Sequence, residues 1–134
     1  MRNSGGEMLF AISFPLQVVS AIDVEMKALH FATKWAMEAG YHDFQVETDI
    51  VSVLRNLEES RMGRWRVLIQ EMMLASNRKH VKFQHAWREA NGAAHSLAHL
   101  HSAQLIIFSN IIDLPGPVKR AYYMDKFSIP SIRL

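Results

Sequence analysis

The sequence has 134 residues, of which 49% are hydrophobic, 21% charged and 10% aromatic, a composition that excludes a largely disordered chain and provides one hydrophobic core. There is no cysteine, which excludes disulfide bonds, thiolate zinc sites and a cysteine nucleophile. The net charge of +2 favours acidic partners only weakly.

The first half of the sequence predicts alternating strands and helices. Gly5-Gly6 is typical of a tight turn and residues 8–16 of a buried strand, and we expect the strand before that turn to be missing or incomplete. Ser20 and Asp23 form an S-x-x-D capping signature, so a helix is predicted from there to Ala39, with Gly40 as its stop. Its apolar face is predicted at Leu29, Ala32, Ala36 and Ala39.

The second half continues the same pattern. Residues 44–48 alternate as a strand, a helix follows from residue 49, and another helix is predicted over 65–76. Residues 81–87 predict a last strand, and Asn91 begins a helix. The order β-α-β-α-α-β-α predicts an α/β domain with a sheet that is at least partly parallel. We place this domain at residues 1–103, and we expect 104–134 to be an apolar piece followed by a weakly ordered tail.

Two carboxylates stand at positions where a functional site is plausible. Glu25 lies at the N-terminal end of the apolar helix face, where it either interacts favourably with the helix dipole or serves as a metal ligand. Asp49 follows the 44–48 strand, where it either caps the next helix or belongs to a ligand site at the carboxyl end of a sheet strand. Both interpretations of each residue stay open on sequence alone.

Charge is distributed unevenly along the chain. Residues 1–60 carry a net charge of −5, whereas residues 61–88 carry seven basic groups against Glu71 alone. The basic stretch is either a solvated face or a surface that holds phosphates, and Trp65 and Trp87 beside it add stacking surfaces for nucleic acid.

Targeting signals are weak. No segment reaches the roughly 18 apolar residues of a membrane span, so no membrane partner is expected. Residues 8–16 and the Val19-Ser20-Ala21 sequence resemble a cleavable signal peptide, but Glu7 and Pro15 interrupt the pattern. We therefore expect an intracellular protein, without assigning a compartment. A zinc site at His95, His99 and His101 is a minor alternative to surface histidines.

Four pieces of the sequence, in this order and spacing, resemble the ribonuclease H family, specifically the plant ribonuclease-H-like and reverse-transcriptase-associated type. The pieces are RNSGGEMLFAISFPL, VEMKALHFATKWAMEAGY, FQVETDIVSVLRNL and VKFQHAWREANGAAHSLAHL, and together they span about residues 2–103. The resemblance implies a mixed sheet flanked by helices, truncated at its N-terminal end. It also implies hydrolysis of RNA in RNA–DNA hybrids by two Mg²⁺ ions, roughly 4 Å apart, held by four carboxylates.

The resemblance assigns roles to individual residues. Glu25 and Asp49 match two of the four carboxylates, which implies catalytic and metal-binding roles and carboxyl carbons within about 8 Å of each other. The family's first-strand Asp has no counterpart here, and His95 stands at the position of its last Asp. The residues expected to contact nucleic acid are Arg61, Arg64, Trp65, Arg66, Arg88 and Asn91.

The function expected from these features is binding of an RNA–DNA hybrid or RNA, with little Mg²⁺-dependent hydrolysis because two of the four carboxylates are absent. The alternative is a non-catalytic module that keeps the fold to bind nucleic acid or a protein.

Overall fold

The computed structural model describes residues 1–16, 20–58, 63, 65–87, 91–100 and 103–126. The chain forms two compact units: one comprises Met1–Leu16 with Trp87–Leu134, and the other comprises Gln17–Ala86. The predicted order of elements through residue 98 is confirmed, and three further elements follow. In chain order the elements are β1 (Ala11–Ser13), α1 (Ala21–Glu38), β2 (Gln45–Thr48), α2 (Val51–Glu58), α3 (Arg66–Lys79), β3 (Lys82–His85), α4 (Gly92–Ala98), β4 (Ile106–Phe108), a 3₁₀ turn (Ile111–Asp113) and α5 (Gly116–Lys126).

Helix α1 begins and ends where its capping residues predict. The Ser20 hydroxyl accepts a hydrogen bond from the Asp23 backbone N–H at 3.2 Å, which satisfies one of the unpaired donors of the first turn. After Glu38 the chain leaves the helix through Gly40, whose φ of 93° is a conformation that glycine adopts without strain.

The buried face of α1 differs from the predicted one. Met26, Leu29, Thr33 and Ala36 are buried, whereas Ala32 and Ala39 are exposed. Leu29 and Ala36 are buried as predicted, but Ala32 and Ala39 are not, and Thr33 lies on the buried face in addition. Its hydroxyl donates to the Leu29 carbonyl at 2.7 Å, so the polar group is satisfied inside the helix and the residue can occupy the core.

Strands β2 and β3 form a parallel pair, with Gln45 opposite Lys82 and Thr48 opposite His85. This confirms the prediction of a partly parallel sheet. The core of the same unit consists of Met26, Leu29, Ile69 and Met72, against which half-buried side chains of β2 and β3, Val46 and Phe83 among them, are packed. Helices α1 and α3 thus cover the strands through one continuous apolar cluster.

The other unit contains an antiparallel pair. Strand β1 pairs with β4, with Ala11 opposite Phe108 and Ser13 opposite Ile106. The turn predicted at Gly5-Gly6 is present, and an isolated antiparallel bridge between Arg2 and Met8 closes it. The strand predicted over 8–16 is shorter than expected, because regular pairing is confined to three residues.

The C-terminal piece has more regular structure than expected. Helix α5 covers part of the segment predicted to be weakly ordered, and Leu114, Val118 and Tyr122 are buried at a four-residue spacing. Val118 and Tyr122 lie on one face of α5, and Val118 packs with Leu114 and Ala11 in an apolar cluster of this unit. The rest of the predicted tail, residues 127–134, lies outside the described residues. The domain limit at residue 103 stays a prediction.

Among the helices of the described segments, none combines the length and the apolar character that a membrane span requires.

Candidate metal and nucleic-acid site

Glu25 is anchored to the end of strand β2. Thr48, the last residue of β2, is fully buried, and its hydroxyl donates to Glu25 Oε1 at 2.8 Å. The same hydroxyl oxygen accepts from the Ile50 backbone N–H at 3.1 Å. One threonine side chain therefore connects the N-terminal part of α1 to the loop between β2 and α2.

Asp49 follows directly in that loop and is half-buried. The structure thus brings Glu25 into hydrogen-bonding contact with the residue that precedes Asp49, at the carboxyl end of a parallel strand. In open α/β sheets this end of the strands is where ligands bind. The separation of the two carboxyl carbons, expected to be within about 8 Å, stays a prediction.

A second acidic residue of α1 was not predicted as part of any cluster. Asp23 is buried, with 3% of its surface exposed. Its carboxylate contacts the Lys27 ammonium group at 2.9 Å and accepts a hydrogen bond from the Trp65 indole N–H at 3.0 Å. The i, i+4 spacing of Asp23 and Lys27 is a local signal for their pairing, whereas no local pattern could reveal a partner 42 residues away.

Trp65 therefore has a structural role. Its ring is half-buried against the apolar core formed around Met26 and Ile69, and its indole nitrogen is bound to Asp23. Part of the surface that was expected to stack on a base is used inside the protein. Stacking by the remaining surface stays a prediction.

The other predicted nucleic-acid contacts are distributed over both units. Arg66 is exposed at the first residue of α3, and Asn91 is half-buried at the start of α4, where its side chain makes no capping hydrogen bond. Arg61, Arg64 and Arg88 lie outside the described residues. Exposed basic residues of the same stretch that the structure does describe are Arg78, Lys79 and Lys82.

His95 is exposed on α4, in the unit that does not contain Glu25 and Asp49. Its ring lies 4.3 Å from the ring of His99, whose Nδ1 is 2.8 Å from the His95 carbonyl oxygen. His101, the third residue of the alternative zinc site, lies outside the described residues. Within the described part of the chain, no group of three or more His, Asp or Glu side chains is arranged to hold a metal ion.

Comparison with known proteins gives one match. A family model described as reverse transcriptase-like matches residues 1–101, whereas no curated protein and no solved structure matches the chain. The matched range contains all four sequence pieces on which the resemblance to ribonuclease H is based, and the mixed α/β architecture agrees with a ribonuclease-H-like fold. This chain belongs to the reverse transcriptase-like family, within the ribonuclease-H-like fold family.

Proposed function

We propose that this chain is a nucleic-acid-binding domain of the ribonuclease-H-like type that binds RNA–DNA hybrids or RNA and hydrolyses the hybrid only weakly. The observation that carries the proposal is the position of Glu25, whose carboxylate accepts a hydrogen bond from Thr48, the residue directly before Asp49. Family membership supports the substrate class, because the resemblance implies recognition of an RNA–DNA hybrid.

The side chains at this position fit one Mg²⁺ ion better than two. Mg²⁺ in proteins is bound through one or two carboxylates, several waters and substrate phosphates. Glu25 and Asp49 would supply the two carboxylates, although the Thr48 hydroxyl already uses part of the Glu25 Oε1 acceptor capacity. A bound ion would polarise a phosphodiester at this site. We expect weak Mg²⁺ binding, because two carboxylates provide half of the negative charge of the family's four.

The basic stretch supports the binding half of the proposal. If about four of its seven basic groups contact phosphates, the logarithm of affinity should fall against the logarithm of salt concentration with a slope of roughly −3. Binding should be largely indifferent to sequence, since phosphate contacts carry no base information.

The catalytic part is tested by cleavage of a labelled RNA–DNA hybrid in Mg²⁺ or Mn²⁺. We expect slow cleavage of the RNA strand that is lost in Glu25→Gln and in Asp49→Asn. The matched control is Asp113→Asn, which removes an exposed carboxylate of the other unit. If both variants still cleave the hybrid, Glu25 and Asp49 are not the catalytic carboxylates.

The binding part is tested by titrating the same hybrid at several salt concentrations. The double variant Arg64→Glu, Arg66→Glu should flatten the slope, whereas Lys119→Glu, Arg120→Glu, outside the basic stretch, should change it less. Affinity that does not vary with salt would leave the basic stretch as a solvated face and contradict the nucleic-acid role.

The second candidate is a non-catalytic module with the same fold. The observation that favours it is His95: an imidazole at the position of a family carboxylate carries no negative charge in its neutral form and is a poor ligand for Mg²⁺. Salt-dependent binding of the hybrid without any cleavage in Mg²⁺ or Mn²⁺ would select this candidate.

A further inference from the structure

A cavity of about 400 Å³ lies between helices α1 and α3, within the unit that contains Glu25. Its floor is apolar. Met72 and Ala75 of α3 are buried there, and so is Thr33 of α1, whose hydroxyl is already bound to the Leu29 carbonyl. Met37 and Leu74 provide the walls, and Leu74 is 49% exposed. The volume is within the range of small-molecule sites.

The two helices run in the same direction along this cavity. The His30 imidazole contacts the Glu71 carboxylate, which joins them near the middle of α1. At the other end, the Asp43 N–H donates to the Lys79 carbonyl at 3.0 Å and holds the chain after α1 against the end of α3. Lining residues extend from His30 to Glu38 along α1, a length of about 12 Å at the helical rise. The cavity is therefore an elongated groove, joined across one end by the His30–Glu71 pair.

The rim of the groove is positively charged towards its other end. Arg78 and Lys79 line it there and are exposed, and the exposed Lys34 lines the groove about midway, one helical turn from His30. Of the two acids on the rim, Glu71 is engaged by His30, and the hydrogen bond from that imidazole lowers the pKa of the Glu71 carboxyl. Lys34 also acts on the Glu71 carboxylate, and Glu38 is the second acid of the lining. A ligand that fits this distribution has an apolar body and a single anionic end.

We propose that the α1–α3 groove binds a small amphipathic anion, a carboxylate on an unbranched alkyl chain, with the chain over Met72 and Ala75 and the carboxylate between Lys34 and Arg78. The apolar floor would exclude water from the alkyl chain, which favours binding in proportion to the apolar surface buried. The cations would pair with the carboxylate at the solvent-exposed rim. The proposal does not rest on the proposed hydrolysis at Glu25 and Asp49, although Arg78 and Lys79 also belong to the basic stretch of residues 61–88.

The probe for this proposal is octanoate, used below its micelle concentration on the whole chain with ¹³C-labelled methionine methyl groups. Met37 and Met72 line the groove, whereas Met8 lies in the other unit and reports nonspecific binding. We expect saturable shifts of the Met37 and Met72 methyl signals and none at Met8. Acetate has the charge without the chain and octylamine the chain without the negative charge, so each should bind at least ten-fold more weakly.

Charge reversal tests the position of the carboxylate. Arg78→Glu should weaken octanoate binding at least ten-fold, and Lys34→Glu, on the other helix, should do the same. The matched control is Lys82→Glu, which reverses an exposed cation of β3 outside the groove and should leave the affinity unchanged.

Three results would overturn the proposal. One is equal binding of octanoate and octylamine, which would mark a charge-independent apolar surface. Another is an affinity that is unchanged in both charge-reversal variants. The third is displacement of octanoate by an RNA–DNA hybrid at low salt, which would make the groove part of the nucleic-acid surface.

Discussion

Thr48→Val removes a hydroxyl group that connects two elements of the same unit. In the native chain this hydroxyl donates to Glu25 Oε1 and accepts from the Ile50 N–H. Valine keeps the branched shape and is favoured in strands, so the loss from packing and propensity should be small. The expected effect therefore arises from the two hydrogen bonds.

The magnitude follows from the burial of the groups involved. Thr48 is fully buried, so water does not replace the lost acceptor of the Ile50 N–H, and a stranded buried donor costs about 1–3 kcal/mol. Glu25 is half-buried, and water can partly replace the donor to its carboxylate, which makes about 1 kcal/mol a suitable value for that bond. We expect Thr48→Val to lower the free energy of unfolding by about 2–4 kcal/mol.

Thr48→Ser is the matched control, because it keeps the hydroxyl and removes one buried methyl group. Its cost should be about 1 kcal/mol. Both variants can be measured by urea unfolding, followed through the fluorescence of Trp35 and Trp65 in the same unit, with equal m-values as the check that the transition is comparable. If the valine variant is as stable as the serine variant, the Thr48 hydroxyl does not hold Glu25 in place.

Three further predictions concern other contacts of the same unit. Trp65→Phe removes the indole donor to buried Asp23, so it should cost about 1–3 kcal/mol in urea unfolding; a double-mutant cycle with Asp23→Asn should give a coupling above about 0.5 kcal/mol, and additive effects would contradict the contact. Glu71→Gln should cost at most about 1 kcal/mol near neutral pH, because the pair with His30 is partly exposed. The hydrogen bond from His30 lowers the pKa of Glu71, so the stabilisation is present above the ordinary value of 4.5 and is lost as the pH falls through the lowered pKa. If the native chain remains more stable than Glu71→Gln in strong acid, the ionised Glu71 carboxylate is not the cause of the difference in stability. His80→Gly should raise stability by about 0.5–1 kcal/mol, because φ of 53° at the end of α3 is strained for a residue with a Cβ atom; a loss of stability would show that the histidine side chain outweighs this strain.

The sequence by itself determined the features that depend on neighbouring residues. Ser20 and Gly40 mark the ends of α1 because capping is decided within one turn of the helix. Residues 44–48 were recognised as a strand because alternation has a period of two. The α/β class and the ribonuclease-H-like fold family also follow from local pieces in a fixed order, and both are confirmed, whereas the plant type and the N-terminal truncation stay predictions.

Only the tertiary structure decided which distant groups meet. The hydrogen bond between Thr48 and Glu25 spans 23 residues, and the bond between Trp65 and Asp23 spans 42. Helical and strand periods indicate which face of an element is apolar, but they carry no information on which residue of another element stands opposite. The groove between α1 and α3 has the same origin: its apolar floor and basic rim exist because packing sets the two helices side by side, bringing the His30 imidazole to the Glu71 carboxylate.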